Sequence, residues 1–188
     1  MPKVPFLPGD TSEPADVVAA VRARRKGGEL AVLDRIMLHS PAVTAGWSAM
    51  FKAIRTELSI DPFHRELCML TPLVILRGDL EIRIHGIIFR ELGGTDEQIE
   101  ALAKAGQDDF DAGLFTPEQA TIARFAGEVT RRGRATDATF EAVRAVVGTD
   151  QKLVELVATV GAYNLVSQFV ATLDIDDESR GYIPSGLA

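Results

Sequence analysis

A repeated helix-start signal constrains this chain more than any other feature. Ser40-Pro41, Asp61-Pro62, Thr95-Asp96-Glu97-Gln98, Thr116-Pro117-Glu118-Gln119, Thr136-Asp137 and Thr149-Asp150 each set a small polar residue ahead of an apolar stretch. The side-chain oxygen of such a residue accepts from the first free backbone N–H groups of a helix, and proline suits the first turn because it lacks an N–H. In the two Thr-x-x-Gln quartets the glutamine can reach back to the threonine N–H and close a capping box. Glycine pairs supply stops at Gly27-Gly28 and Gly93-Gly94.

These signals predict helices over 12–26, 40–58, 61–76, 78–93, 95–105, 116–132, 136–147 and 149–173, with a short segment over 30–38. Pro72 lies inside one of them, removes a backbone donor and clashes with the preceding turn, so a kink or break is expected there. Strand-type alternation is nearly absent, and runs such as Leu73 to Leu76 fit the helical period better. The expected architecture is all-α: a single-domain helical bundle with an N-terminal arm. Its parts are an arm and first helix over 1–29, a main domain over 30–175, and a loose tail over 176–188.

Composition narrows the function classes. At 188 residues, 46% hydrophobic and 25% charged, the chain can bury a real core. A net charge of −7 argues against broad nucleic-acid binding, which rests on neutralising phosphates. No apolar run approaches the roughly 20 residues of a membrane span, and the proline-bearing start, Met1 to Asp10, has no export segment. The single cysteine, Cys68, excludes an intrachain disulfide and a Cys-x-x-Cys pair, and fits a reducing cytoplasmic setting. The one basic cluster, Arg22 to Lys26, reads as a solvated helix end complementing the helix dipole.

Three ionisable residues fall on apolar helix faces. Glu81 and His85 are four apart, so they stack on one face with Gly78, Ile82, Ile88, Phe89 and Leu92, while Asp79, Arg83 and Arg90 point away. Glu66 sits among Phe63, Met69, Leu70 and Leu73. Buried charge is costly unless paired, so the trio is either a structural pair joining helices or a site for proton chemistry. A nearby carboxylate makes imidazole easier to protonate and desolvation opposes that, which leaves a histidine able to exchange protons near neutrality. A metal site would use the same residues. It lacks a visible fourth ligand, and neither His39 nor His64 has ligand spacing. Cys68 follows His64 by four, but a non-catalytic cysteine is the simpler reading. Trp47 with Phe51, and Tyr163 with Asn164, Ser167 and Gln168, mark helix faces that pack or line a pocket.

The segments Arg65-Glu66-Leu67, Glu81-Ile82-Arg83-Ile84-His85 and Leu92-Gly93-Gly94-Thr95-Asp96-Glu97-Gln98-Ile99-Glu100-Ala101-Leu102 resemble the carboxymuconolactone decarboxylase family, which includes the alkyl hydroperoxidase D-like proteins. His39-Ser40-Pro41 with Trp47, and Tyr163-Asn164-Leu165-Val166-Ser167-Gln168-Phe169, extend the likeness over roughly residues 30–175. The resemblance implies an all-α fold and a homo-oligomer, often a trimer or hexamer, with its site near a subunit interface. In the peroxidase branch a Cys-x-x-Cys pair precedes the histidine and an upstream glutamate assists. Glu66 and His85 match that glutamate and histidine, but Gly78 and Glu81 stand at the cysteine positions. Thiol peroxidase chemistry therefore does not carry over.

The glutamate four before the histidine looks like the decarboxylase-type branch, which handles small carboxylated lactones without a metal or organic cofactor. The resemblance thus implies a lyase or isomerase acting on a small carboxylate or lactone, with His85, Glu81 and Glu66 as catalytic residues. Arg77, Tyr163, Asn164 and Trp47 are the candidate substrate contacts. Arg77 is placed to anchor a substrate carboxylate or, preferably, to neutralise Glu66. The alternative is a non-catalytic assembly protein in which the trio only joins helices; a metal-dependent oxidoreductase is a third reading.

Overall fold

The structure is a computed structural model describing residues 2–175; the tail over 176–188 lies outside the described residues. Among the described residues there are nine α-helices and no strand. They are α1 (Ala15–Ala23), α2 (Val32–Met37), α3 (Pro41–Thr56), α4 (Pro62–Leu76), α5 (Asp79–Glu91), α6 (Asp96–Ala101), α7 (Pro117–Arg132), α8 (Asp137–Val147) and α9 (Asp150–Leu173).

Most of the start signals act as expected. Asp61 Oδ1 accepts from the backbone N–H of Phe63 and His64 at 2.9 and 3.1 Å. Thr95 and Thr116 close capping boxes with Gln98 and Gln119, and Thr136 and Thr149 accept from Thr139 and Lys152. Ser40 differs: its side chain makes no capping bond. Thr44 secures that turn instead, its hydroxyl donating to the Met37 carbonyl at 2.6 Å.

Helix α4 is the centre of the molecule. Every residue from Glu66 to Val74 is buried, as a helix packed on all sides requires. It lies against α9, α7 and α5. The break expected at Pro72 does not occur, and α4 runs through it to Leu76. Packing on all sides holds the helical path there, and the Thr71 hydroxyl donates to the Leu67 carbonyl at 2.7 Å.

Helix α9 corrects another expectation: over Asp150–Leu173 it is long and apolar enough, by length and composition, to cross a membrane. In this fold it is a core helix, burying Leu153, Leu156, Val160, Tyr163 and Val166. Arg83 also departs from the helical-wheel reading, being buried rather than turned to solvent.

The N-terminal arm is docked on the bundle. Leu7 N–H donates to Arg35 O at 3.1 Å, Lys3 N–H to Leu173 O at 2.9 Å, and Val4 and Phe6 pack on the main core. Val18, Val21, Leu30 and Leu38 form a small second core joining α1 to α2. Helix α1 stops at Ala23, short of the expected Lys26, and the chain turns so that Arg24 and Arg25 reach Asp34.

Candidate functional site

The turn between α4 and α5 sets the site. Arg77 adopts a left-handed conformation with φ 61° as the C-cap of α4. Gly78 follows against α9, where a Cβ would lie 2.9 Å from Leu73 Cδ2 and 3.4 Å from Ser167 Oγ. This tight reversal folds α5 back along α4, so His85 faces Glu66 across the helix pair. His85 Nδ1 is 2.8 Å from Glu66 Oε2, and both residues are buried.

Other helices close the ring of partners. From α9, Tyr163 Oη lies 2.9 Å from His85 Nε2, with the two rings edge-on at 4.9 Å. From α3, Arg55 Nε donates to Tyr163 Oη at 3.2 Å, and its guanidinium lies over Phe51. Burial pushes the Tyr163 phenol well above its ordinary 10.0, Glu81 and Glu66 add to this, and Arg55 only partly opposes it. The phenol is therefore protonated and donates to Nε2. That leaves Nδ1 as the protonated ring nitrogen, donating to Glu66. The chain of donors runs Arg55, Tyr163, His85, Glu66, and it fixes the imidazole tautomer.

Glu81 is held more loosely. Its Oε2 is 3.6 Å from His85 Nε2 and 3.8 Å from Arg55 Nη2, both beyond hydrogen-bond length. Glu66 and Glu81 approach opposite edges of the imidazole, so their oxygens do not converge with it on one point. Among the described residues no three His, Cys, Asp or Glu side chains form a metal-holding group.

The trio opens onto a pocket of about 210 Å³, lined by Glu66, Glu81 and His85 and by Trp47, Leu33, Met69, Ile84 and Ile88. That is space for several water molecules, enough for a small organic acid. Arg24, Arg25, Arg55 and Arg65 line the same pocket. The two lining acids, Glu66 and Glu81, and the one buried pairing acid, Asp34, leave a surplus of one arginine charge.

The structure unites the predicted catalytic residues and redistributes the predicted substrate contacts. Trp47 lines the pocket. Tyr163 stands behind the imidazole instead, as its hydrogen-bond partner. Asn164 donates to the Val160 carbonyl of its own helix at 3.0 Å and does not line the pocket. Arg77 is exposed, pairs with Asp79 at 3.3 Å, and neither lines the pocket nor neutralises Glu66. The left-handed cap turns it away from the face it shares with Glu66 in a straight helix.

The arginines were the missed residues. Arg55 carried a signal, since Trp47, Phe51 and Arg55 recur at four-residue spacing on one face of α3. Arg65 adjoins Glu66 in sequence. Arg24 and Arg25, read as a solvated helix end, are brought to the pocket by Asp34, which is only 2% exposed. Arg25 grips Asp34 with two bonds of 2.7 Å, and Arg24 adds one of 3.0 Å.

Cys68 is buried in α4, where burial first and Glu66 second push its thiol far above the ordinary 9.0. Thiolate chemistry is thus suppressed. A pH dependence follows with a definite sign. Below pH 9.0 the thiol and the Tyr163 phenol are protonated in folded and unfolded chains alike. As pH rises past 9.0 and then 10.0, the unfolded chain releases protons that the folded chain keeps. Stability is therefore expected to fall by up to about 1.4 kcal/mol per pH unit for each group. Urea midpoints between pH 7.5 and 10.5 measure this, and Cys68→Ala should flatten the slope above 9.0. An unchanged slope in that variant would count against the thiol's part.

No protein-family model matches the chain, and none of the curated proteins matches it significantly. Solved structures do. An alkylhydroperoxidase AhpD core, an uncharacterized peroxidase-related protein from Ralstonia eutropha JMP134, superposes with a TM-score of 0.76 at 18% identity, covering 95% of this chain and 93% of that one. An uncharacterized peroxidase-related protein from Silicibacter sp. TM1040 gives 0.75 at 17% identity, covering 95% and 94%. A protein of unknown function from Agrobacterium tumefaciens, ATU0492, gives 0.61 at 16% identity, covering 78% of this chain and 94% of that one. The chain therefore has the all-α fold of the AhpD core.

Proposed function

We propose that this protein is a cofactor-free enzyme, a decarboxylase-like lyase or an isomerase, acting on a small carboxylate or lactone by proton transfer through Glu66, His85 and Glu81. One observation carries the reading: a carboxylate–imidazole–carboxylate array opens onto a small pocket that four arginines line. Such a pocket favours an acid substrate. Dithiol peroxidase chemistry is disfavoured, because Gly78 and Glu81 stand where a cysteine pair is needed and the lone Cys68 thiol is buried.

Loss of carbon dioxide from an unsaturated acid leaves the bonding electrons on the remaining carbon framework as an enolate-type anion. Arg55, beside Glu81, supplies positive charge where that anion develops. The anion then takes a proton. Both imidazole nitrogens are engaged in the resting state, one by Glu66 and one by Tyr163. Glu81 lines the pocket 3.6 Å from Nε2 and makes no hydrogen bond of normal length to the ring. A solvent proton is taken up at Nε2 once the Tyr163 O–H turns away from that lone pair; it passes to the substrate as Glu81 closes the 3.6 Å gap, while Glu66 balances the imidazolium. Isomerisation uses the same path twice, removing a proton at one carbon and returning it at another.

The test is an activity screen of carboxylated lactones and unsaturated small acids, run in parallel on the protein and on His85→Gln. Turnover by the parent that the variant lacks, with circular dichroism unchanged, supports the proposal. Turnover that survives the substitution sinks it, as does no turnover of any acid tried.

A homo-oligomer is part of the same proposal. Ile84 and Ile87 on α5 are 47% and 57% exposed, and Val154 on α9 is 67% exposed. Apolar side chains left open in this way suit a subunit contact. Light scattering of Ile87→Glu against the parent measures it, with a fall in mass expected. The same faces would serve the alternative, a non-catalytic assembly protein, in which His85→Gln changes stability and nothing else.

A further inference from the structure

The arginines around the pocket are not alike. Arg25 is spent on Asp34, with two bonds of 2.7 Å, and Arg55 is committed to Tyr163. Arg24 and Arg65 each keep a buried Nε with no hydrogen-bond partner among the described residues. A buried guanidinium N–H without an acceptor is destabilising, because it has given up water and gained no partner. Two such donors at one pocket are an unmet demand for an acceptor.

The charge around Arg24 points the same way. Burial lowers its affinity for its own proton, neighbouring Arg25 and Arg55 lower it further, and Asp34 only partly compensates. Like charges crowded against a small cavity, on residues whose buried Nε donors lack acceptors, are stabilised by a bound anion.

We propose that Arg24 and Arg65 form an anion subsite that holds the carboxylate of the substrate, and that the N-terminal segment completes the site by supplying Arg24. The inference rests on the acid-substrate reading above and names the residues that recognise the acid. The two arginines come from separate parts of the fold. Arg65 belongs to α4, one residue before Glu66, and shares that helix's rigid frame. Arg24 follows α1, and its position depends on Asp34 in α2, which also accepts from the Ala31 N–H at 2.9 Å. Asp34 is therefore a positioning residue: it holds Arg24 by one Nη2 bond and leaves the buried Nε without an acceptor. A guanidinium fork suits a planar carboxylate, and two arginines lining one pocket favour an acid over its ester or amide.

The test uses malonate as probe and Trp47 as reporter. Trp47 is the chain's one tryptophan and it lines the pocket, so its emission reads occupancy without any turnover. Malonate is expected to shift the emission saturably, and the monoamide of malonate more weakly. Arg24→Gln and Arg65→Gln are each expected to raise the malonate Kd about tenfold or more, the loss of one charge-assisted bond. Arg24→Lys should recover only part of it, since it keeps the charge without the fork. Arg77→Gln, exposed and outside the pocket, should leave the Kd unchanged.

Malonate that binds both glutamine variants as it binds the parent overturns the inference, as does a parent that malonate never saturates. If Arg77→Gln weakens binding as much as the pocket variants do, the effect is general electrostatics and the inference also falls. Because binding is read without catalysis, the two proposals separate. Malonate binding that needs Arg24 and Arg65, in a protein that turns over no acid, upholds the subsite and removes only the enzymatic reading.

Discussion

His85→Gln is expected to lower turnover of any substrate found by about 10²- to 10⁴-fold, the span of one well-placed general acid–base group. The loss should fall on kcat, because the arginines that hold the acid remain in place and KM changes little. Glutamine approximates the size of imidazole and can still bond Glu66 or Tyr163, but it cannot carry a proton. Glu81→Gln should lose a comparable factor if the proton passes through that carboxylate 3.6 Å from Nε2. Tyr163→Phe should cost less in rate, since it removes the donor that fixes the tautomer while the imidazole stays. It should also destabilise the fold by about 1–3 kcal/mol, because Arg55 Nε and His85 Nε2 both lose a buried partner. Steady-state kinetics and melting curves on the three variants check the order. A His85→Gln enzyme within a few-fold of the parent would refute the relay.

Gly127→Ala is expected to destabilise the protein by about 3 kcal/mol or more, at the upper end of single substitutions. In an ordinary helix this change gains up to about 1 kcal/mol, so the sign itself is diagnostic. Gly127 lies in α7 where the helix crosses the loop after α6. A Cβ there would sit 2.2 Å from the Ala105 carbonyl oxygen, 2.3 Å from its carbon and 2.7 Å from Gly106 N. These are backbone atoms, which cannot swing aside as a side chain can. Gly106 itself has φ +79°, and a Cβ on it would meet the α7 backbone at 2.6 Å, so the two glycines permit one close crossing. Gly161→Ala in α9 is the control: nothing lies within 4 Å of its Cβ position, and about 0.5–1 kcal/mol of stabilisation is expected. Urea denaturation of the two variants measures both signs. A neutral Gly127→Ala would mean that α7 and the loop stand farther apart.

Helix starts were legible because capping is local chemistry. Asp61, Thr95, Thr116, Thr136 and Thr149 each bond a backbone N–H two or three residues ahead, so a short sequence window contains both partners. The ends of α4, α7, α8 and α9 were legible for the same reason. Pro72 was misread because the cost of a proline is local, whereas the packing that keeps α4 helical comes from helices distant in sequence. α1 ended early for a like reason: Arg24 and Arg25 leave the helix to reach Asp34, about ten residues on, by a turn that no spacing rule encodes.

In the site, Glu81 and His85 were paired by the period of one helix, and Glu66 was drawn in by apolar surroundings and by family resemblance. Arg77 was misplaced because a left-handed cap rotates it out of register, and a helical wheel assumes no cap. Arg24 carried no signal at all, since its pocket neighbours Arg65 and Glu81 are some 40 and 57 positions away in sequence.

By itself, then, the sequence determined the all-α class, the capped helix boundaries, the lone cysteine and the ionisable trio on apolar faces. These depend on interactions within a turn or two of helix. Only the tertiary structure decided which nitrogen of His85 faces which partner, that Tyr163 stands behind the imidazole, and that four arginines from three parts of the chain surround one pocket. Those features arise from surfaces meeting across long stretches of sequence, where charge and shape select partners that no local period can indicate.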